Sequence, residues 1–304
     1  MSSLIEQAAE RLEQLRRAGI RVPEPLVQTP APPELASIEA LAEVKAAISP
    51  APAVASRGPY VELDLEALAA ANIAVPGAPR SQVADQFRVI KRPLIANAMG
   101  KGVTKPVHAN LVMVTSALMG EGKSFTSVNL AMSIAAEFDS TVLLVDADVA
   151  RPSLPRVLGL PDGPGLLDVL DGSAELSDVL MKTNIDKLSI LRSGTPRDRS
   201  TEMLASAGMR QLLDDMSRRY PDRIIIFDSP PLLLTTESRT LAINMGQIVI
   251  VVQAGKTLQS DVEQALSTIE ACPLKMMVLN QTRSSAQSAY GYGYGYGYGY
   301  GYRT

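Results

Sequence analysis

The stretch Ala117-Leu118-Met119-Gly120-Glu121-Gly122-Lys123-Ser124 decides how the rest of this chain is read. An apolar run, 109–115, leads into it, and a helical pattern from Lys123 to Glu137 leads out. Strand, glycine-bearing loop and helix in that order form a phosphate-binding loop. Gly120 and Gly122 let the backbone turn tightly and aim N–H groups at phosphate oxygens. The helix that follows adds its positive end. Met119, Gly120, Glu121, Gly122, Lys123, Ser124 and Phe125 are therefore the expected nucleotide contacts. In that role Lys123 bridges the β- and γ-phosphates, and the Ser124 hydroxyl ligates Mg²⁺. The first glycine of the usual pattern is replaced by Ala117.

Downstream, apolar runs alternate with helical patterns. Strands are predicted over 141–146, 188–191, 223–228, 247–253 and 275–279, with helices near 164–180, 201–220 and 260–271. Continuous apolar strands separated by helices imply a doubly wound, mostly parallel α/β sheet covered on both faces. Ligands of such sheets bind at the carboxyl ends of strands. Two strands end there in acid: 141–146 in Asp146-Ala147-Asp148, and 223–228 in Asp228-Ser229-Pro230-Pro231. Asp228 is placed to hold Mg²⁺. Of Asp146 and Asp148, one can order the metal while the other accepts a proton.

Upstream, residues 3–18 read as an amphipathic helix whose Ser3 and Glu6 can form a capping box, within an N-terminal region 1–21. Residues 22–80 read as a Pro/Ala-rich linker with short helices; 22–60 contain eight prolines, and Asp64 can cap a helix over 65–72. A helix near 81–91 is expected to end or kink at Pro93. The main domain is set at 81–286. In 287–304, seven tyrosines (Tyr290, Tyr292, Tyr294, Tyr296, Tyr298, Tyr300 and Tyr302) alternate with glycine, a composition that cannot build a core and predicts a disordered tail.

Composition narrows the classes. The 304 residues are 46% hydrophobic with net charge −3 and a single cysteine, Cys272. Nucleic acid is not the expected partner. A disulfide framework is excluded, and a reducing compartment fits. No apolar run reaches the length of a membrane span, and Glu6, Glu10 and Glu13 interrupt any signal-peptide core, so a cytoplasmic location is expected. His108 and Cys272 are read as structural.

The trio ALMGEGKS, LLVDADVARP and IIIFDSPPLL resembles the Walker A, A′ and B motifs of bacterial tyrosine kinases, which use a P-loop NTPase fold. The resemblance spans about 81–304 and is closest to exosortase-associated tyrosine autokinases of exopolysaccharide loci. It implies ATP and Mg²⁺ as cofactors. Asp146 would be the base for a tyrosine hydroxyl, with Asp148 and Asp228 organising the metal and Asn280 contacting adenine. It also implies an oligomer joined through Asp85, Arg88 and Lys91, which stand where the family has Glu-x-x-Arg-x-x-Arg. A membrane-bound polysaccharide chain-length determinant protein would be the activating partner, keeping the chain peripheral at the inner membrane. The A′ arginine place holds Ala150, with Arg151 next to it. The rival reading is a regulatory ATPase of the ParA/MinD type. Those carry a signature lysine five residues before the P-loop lysine, and here that place is Leu118. The seven tail tyrosines favour autophosphorylation in trans.

Overall fold

The computed structural model describes residues 58–102, 106–219 and 222–282. The expected N-terminal helix, most of the linker and the tyrosine tail lie outside the described residues.

Eight strands form one sheet: β1 (Tyr60–Val61), β2 (Leu111–Ser116), β3 (Thr141–Asp146), β4 (Met181–Thr183), β5 (Leu188–Leu191), β6 (Arg223–Asp228), β7 (Gln247–Gln253) and β8 (Leu274–Asn280). Their spatial order is β1-β4-β5-β3-β6-β2-β7-β8. All neighbours pair in parallel except β4 with β5. The predicted fold class is found. The apolar runs became central strands because both their faces are covered: every residue of β2 is buried. The connection β2→β3 passes to one side of β2, and β6→β7 passes to the other. That reversal opens a crevice at the carboxyl ends of β2 and β6.

Helices α1 (Leu65–Ala70), α2 (Gln82–Ala98) and α3 (Lys123–Ala135) cover one face. Leu68, Phe87, Leu94, Val128, Leu130 and Ile134 form that layer with Val112, Val114, Ile224 and Val249. The short α4 (Leu154–Leu158) joins it. The opposite layer carries α5 (Leu166–Leu170), α6 (Leu176–Val179), α7 (Ser200–Leu204), α8 (Ala207–Arg219), α9 (Thr236–Ala242) and α10 (Gln259–Ser267).

The structure differs from the sequence reading at four places. The segment up to residue 80 is not all linker: β1 pairs with β4, and Leu63, Leu68 and Ile73 are buried in the core. Asp64 does cap α1, accepting the Ala67 N–H at 2.9 Å. Helix α2 runs through Pro93, because Leu94 beyond it is fully buried and holds the helix on the core. The carbonyl that Pro93 leaves without a partner belongs to Val89, which is 70% exposed and open to water. The predicted helix 201–220 is two helices, since the Ser206 hydroxyl accepts the Met209 N–H at 3.1 Å and starts α8 anew. Strands β1 and β4, three residues or fewer, carry too little periodicity to read from sequence.

His108 and Cys272 are structural, as expected. His108 pairs with Asp214 at 2.8 Å, and Cys272 is buried.

Candidate active site

The loop after β2 ends at Gly122, which begins α3 with φ +95° and supplies no side-chain cap. The first N–H groups of α3 are therefore left for an anion. Only glycine fits there: a Cβ at Gly122 would stand 2.0 Å from Asn280 Nδ2. Asn280, expected at the adenine, donates its amide to the Glu121 carbonyl at 2.9 Å and braces the loop from the end of β8.

Glu121 is 2% exposed, so its side chain faces the protein and not a ligand. Its carboxylate accepts the Leu118 N–H at 2.7 Å and also bonds the Thr257 hydroxyl. Leu118, where the rival ATPases have lysine, is partly buried and packs against the hydrophobic core. Phe125 packs edge to face on Phe87, centroids 6.3 Å apart, and fixes α3 against α2.

A cavity of about 610 Å³ opens beside the loop. Met119, Gly120, Gly122, Lys123, Ser124 and Phe125 line it together with Asp148 and Ser153. Asp146 and Asp228 lie beneath, directly paired across β3 and β6. Both are essentially buried. Asp228 accepts hydrogen bonds from Ser127 at 3.0 Å and Ser153 at 3.1 Å. Ser153 in turn meets Ser124 Oγ at 2.5 Å. Asp146 accepts the Leu154 N–H at 3.2 Å on one oxygen, and its other oxygen has no partner.

Burial, then the Asp228 charge, pushes Asp146 up to about 8. Burial also raises Asp228, against hydrogen bonds from Ser124 and Ser127 and the Lys123 charge. Burial raises Asp148, opposed by Lys123. Carboxyl groups this close and this dry resist ionising together.

A divalent cation would relieve that repulsion. The donor set of Ser124, Asp228 and the unpartnered Asp146 oxygen is all oxygen, the preference of Mg²⁺. Among the described residues no three acidic, histidine or cysteine side chains form a metal cage of their own. Such a site suits an ion that is shared with phosphates and water.

Ser127 and Ser153 escape a reading of the sequence alone. Ser127 stands one helical turn past Ser124, so helix periodicity is the signal that could find it. Ser153 follows Arg151-Pro152 and has no spacing signal. The two A′ carboxyls also differ from expectation: Asp148 reaches the cavity, while Asp146, the expected base, is 0% exposed. The trio expected on α2 separates. Asp85 and Arg88 are exposed and pair with each other at 2.7 Å. Lys91 is 5% exposed and turned inward, to the Ser133 carbonyl at the end of α3 and to Glu137 at 2.7 Å. Lys91 therefore presents no charge to a neighbouring subunit; it caps α3.

Among the described residues no helix is long and apolar enough to cross a membrane. Residues 108–286 match the model of the ParA family described as NUBPL iron-transfer P-loop NTPase. The chain is 30% identical to tyrosine-protein kinase YwqD of Bacillus subtilis (strain 168) over 222 residues, 72% of this chain and 90% of that one. It is 34% identical over 179 residues to tyrosine-protein kinase ptk of Acinetobacter johnsonii, but over 24% of that longer protein. Among solved structures, the VpsO kinase domain is 27% identical with TM-score 0.57, covering 66% of this chain and 96% of that one. The chimerical protein CapA2B2 is 26% identical with TM-score 0.56, covering 66% and 87%. A phosphate loop with carboxylates converging from two neighbouring strands, and a tyrosine-kinase relative matched over 90% of its length, lead to one conclusion: the chain belongs to the bacterial tyrosine kinases, nucleotide-binding proteins with the P-loop NTPase fold.

Proposed function

We propose that this chain is an ATP- and Mg²⁺-dependent protein-tyrosine kinase that phosphorylates its own C-terminal tyrosines in trans. The observation that carries this reading is the meeting of Asp146, Asp148 and Asp228 beside Lys123 and Ser124, in a chain that carries seven tyrosines spaced by glycine.

Lys123 and the N–H groups at the start of α3 bind the phosphates and hold the γ-phosphoryl group over the cavity. Bound Mg²⁺, held by Ser124 and Asp228 with Asp146 beneath, would neutralise charge on the phosphate oxygens. Asp148 lines the cavity, so we assign it the proton of the incoming phenol. The phenol oxygen forms a bond to the γ-phosphorus while the bond to the bridging oxygen breaks; ADP leaves with that electron pair. The burial that raises Asp148 makes it a better proton acceptor, and the Lys123 charge opposes that rise. The buried floor excludes bulk water, which limits hydrolysis.

The tyrosines Tyr290, Tyr292, Tyr294, Tyr296, Tyr298, Tyr300 and Tyr302 are the proposed acceptors. Each phosphate adds about −1.5 to −2 charges, so a modified tail is driven away from carboxylate-rich sites. We propose further that the chain forms a homo-oligomer through the exposed Asp85 and Arg88. Its activator would be a membrane-bound polysaccharide chain-length determinant protein, in the service of exopolysaccharide synthesis or export.

The test is phosphotyrosine mapping by mass spectrometry of the full chain with ATP and Mg²⁺, with and without such a partner. Phosphate on Tyr290–Tyr302, lost in Lys123→Met, is the expected result. ATP hydrolysis with no phosphotyrosine would favour the regulatory ATPase.

A further inference from the structure

A tyrosine must seat its ring before its hydroxyl can react, and one flank of the cavity differs from the rest. Its floor is polar, but Met119, Pro230, Pro231 and Leu234 make one side apolar. Met119 is 53% exposed and Leu234 is 52% exposed. Leucines in water at a slack loop tip are unremarkable, but this loop is not slack. The Thr115 hydroxyl donates to the Pro230 carbonyl at 2.8 Å. The Leu232 N–H donates to the Ser116 carbonyl at 2.8 Å, and the Leu233 N–H to that of Ala117 at 3.3 Å. Thr235 and Ser238 hydroxyls donate to the Pro231 carbonyl at 3.2 and 3.3 Å. Arg239 Nε donates to the Leu232 carbonyl at 2.9 Å. Leu232 is fully buried and roots the turn in the core.

The turn is thus tied to the residues that enter the phosphate loop, and it holds Leu234 in water beside the reacting centre. Arg151 Nη1 lies 3.0 Å from Met119 Sδ and steadies that side chain. An apolar surface held rigid before binding loses little freedom when it is covered. Prolines 230 and 231 carry no N–H, so this flank offers phosphate no backbone donor there.

Building on the kinase reading, we propose that Leu234, with Pro231 and Met119, is the surface on which the acceptor's ring packs. Leu234 then sets the choice of tyrosine over serine and threonine. A phenol ring gives the flank an apolar face to cover, and the hydroxymethyl of serine does not. The glycines between the tail tyrosines leave each ring unobstructed as it enters.

The test uses full-length chain whose seven tail tyrosines are changed to serine, so that its own tail does not compete. A peptide copying residues 288–304 is titrated in the presence of Mg²⁺ and a non-hydrolysable ATP analogue. Leu234→Ala should weaken peptide binding about fivefold to tenfold, given the methylenes removed from a half-covered contact. Affinity for the ATP analogue should not change. Leu234→Met, which keeps the apolar volume, should bind peptide like the parent. A serine-for-tyrosine peptide should bind weakly to parent and Leu234→Ala alike. Equal peptide affinity for parent and Leu234→Ala overturns the proposal. So does a Leu234→Ala variant that shifts sedimentation but not peptide affinity, which would make this flank an interface between copies. The kinase reading is judged apart, by turnover: with ATP, the parent must place phosphate on the tyrosine peptide whatever Leu234 does.

Discussion

Charge is handled in opposite ways in two parts of this molecule. On α2, every charge of the Asp85, Arg88 and Lys91 trio has a partner within the chain. At the carboxyl ends of β3 and β6, three carboxyls crowd together, and one buried oxygen of Asp146 has no hydrogen-bond partner. Buried charge is costly unless paired. A fold that keeps an incomplete set at the strand ends, while completing the one on α2, holds the first set for something that binds. The unpaired group marks the chemistry and the paired group marks the scaffold.

Four changes test that contrast. The largest effect is expected from Lys123→Met, which removes the phosphate-loop cation. Phosphate transfer should fall by about 1,000-fold, because positioning and charge stabilisation are most of what this chemistry asks of a protein. Rates of phosphotyrosine formation measure it; a drop of less than tenfold would break the assignment.

Next comes Asp146→Asn. Asp146 is raised in the folded protein to about 8 from 3.8. Between those values the folded state holds a proton that the unfolded chain releases, so stability falls as pH rises, and above about 8 the loss levels off. The amide removes that penalty. The nucleotide-free variant should gain on the order of 5 kcal/mol over wild type at pH 8.5 and little at pH 4, while losing transfer activity. Denaturant melts at the two pH values decide it; equal gains at both would assign the effect to packing instead.

Ser153→Ala should be milder. It removes one of the hydrogen bonds to the buried Asp228 and should cost about 1–2 kcal/mol of stability. It should also weaken Mg²⁺-dependent nucleotide binding, read by titration of Mg²⁺ at fixed ATP analogue.

The smallest stability effect is expected on the outside of α2. Arg88→Ala breaks an exposed pair and should change stability by less than about 0.5 kcal/mol. If Arg88 joins subunits, sedimentation shifts while the melt does not. A large melt shift with unchanged sedimentation would place Arg88 with Lys91, among the structural charges.

Much of the fold is legible in the residues themselves. The phosphate loop is a local grammar of glycine, lysine and serine between a strand and a helix. Strands β3, β5, β6 and β7 fall on the predicted residues, because an apolar run buried on both faces declares itself. Two- and three-residue strands such as β1 and β4 do not. Proline misleads in α2, since packing of Leu94 outweighs the hydrogen bond that Pro93 removes.

By itself, then, the sequence determined the fold class, the loop that takes phosphate, and which strand ends carry carboxylates. These depend on residues near each other in the chain. Tertiary structure alone decided which way each side chain turned: Asp148 to the cavity and Asp146 beneath it, Glu121 to Thr257, Lys91 to the end of α3, Ser153 to Asp228. Each choice is made by a partner tens of residues or more away, or by the depth of a strand end below the surface. Composition and spacing record neither.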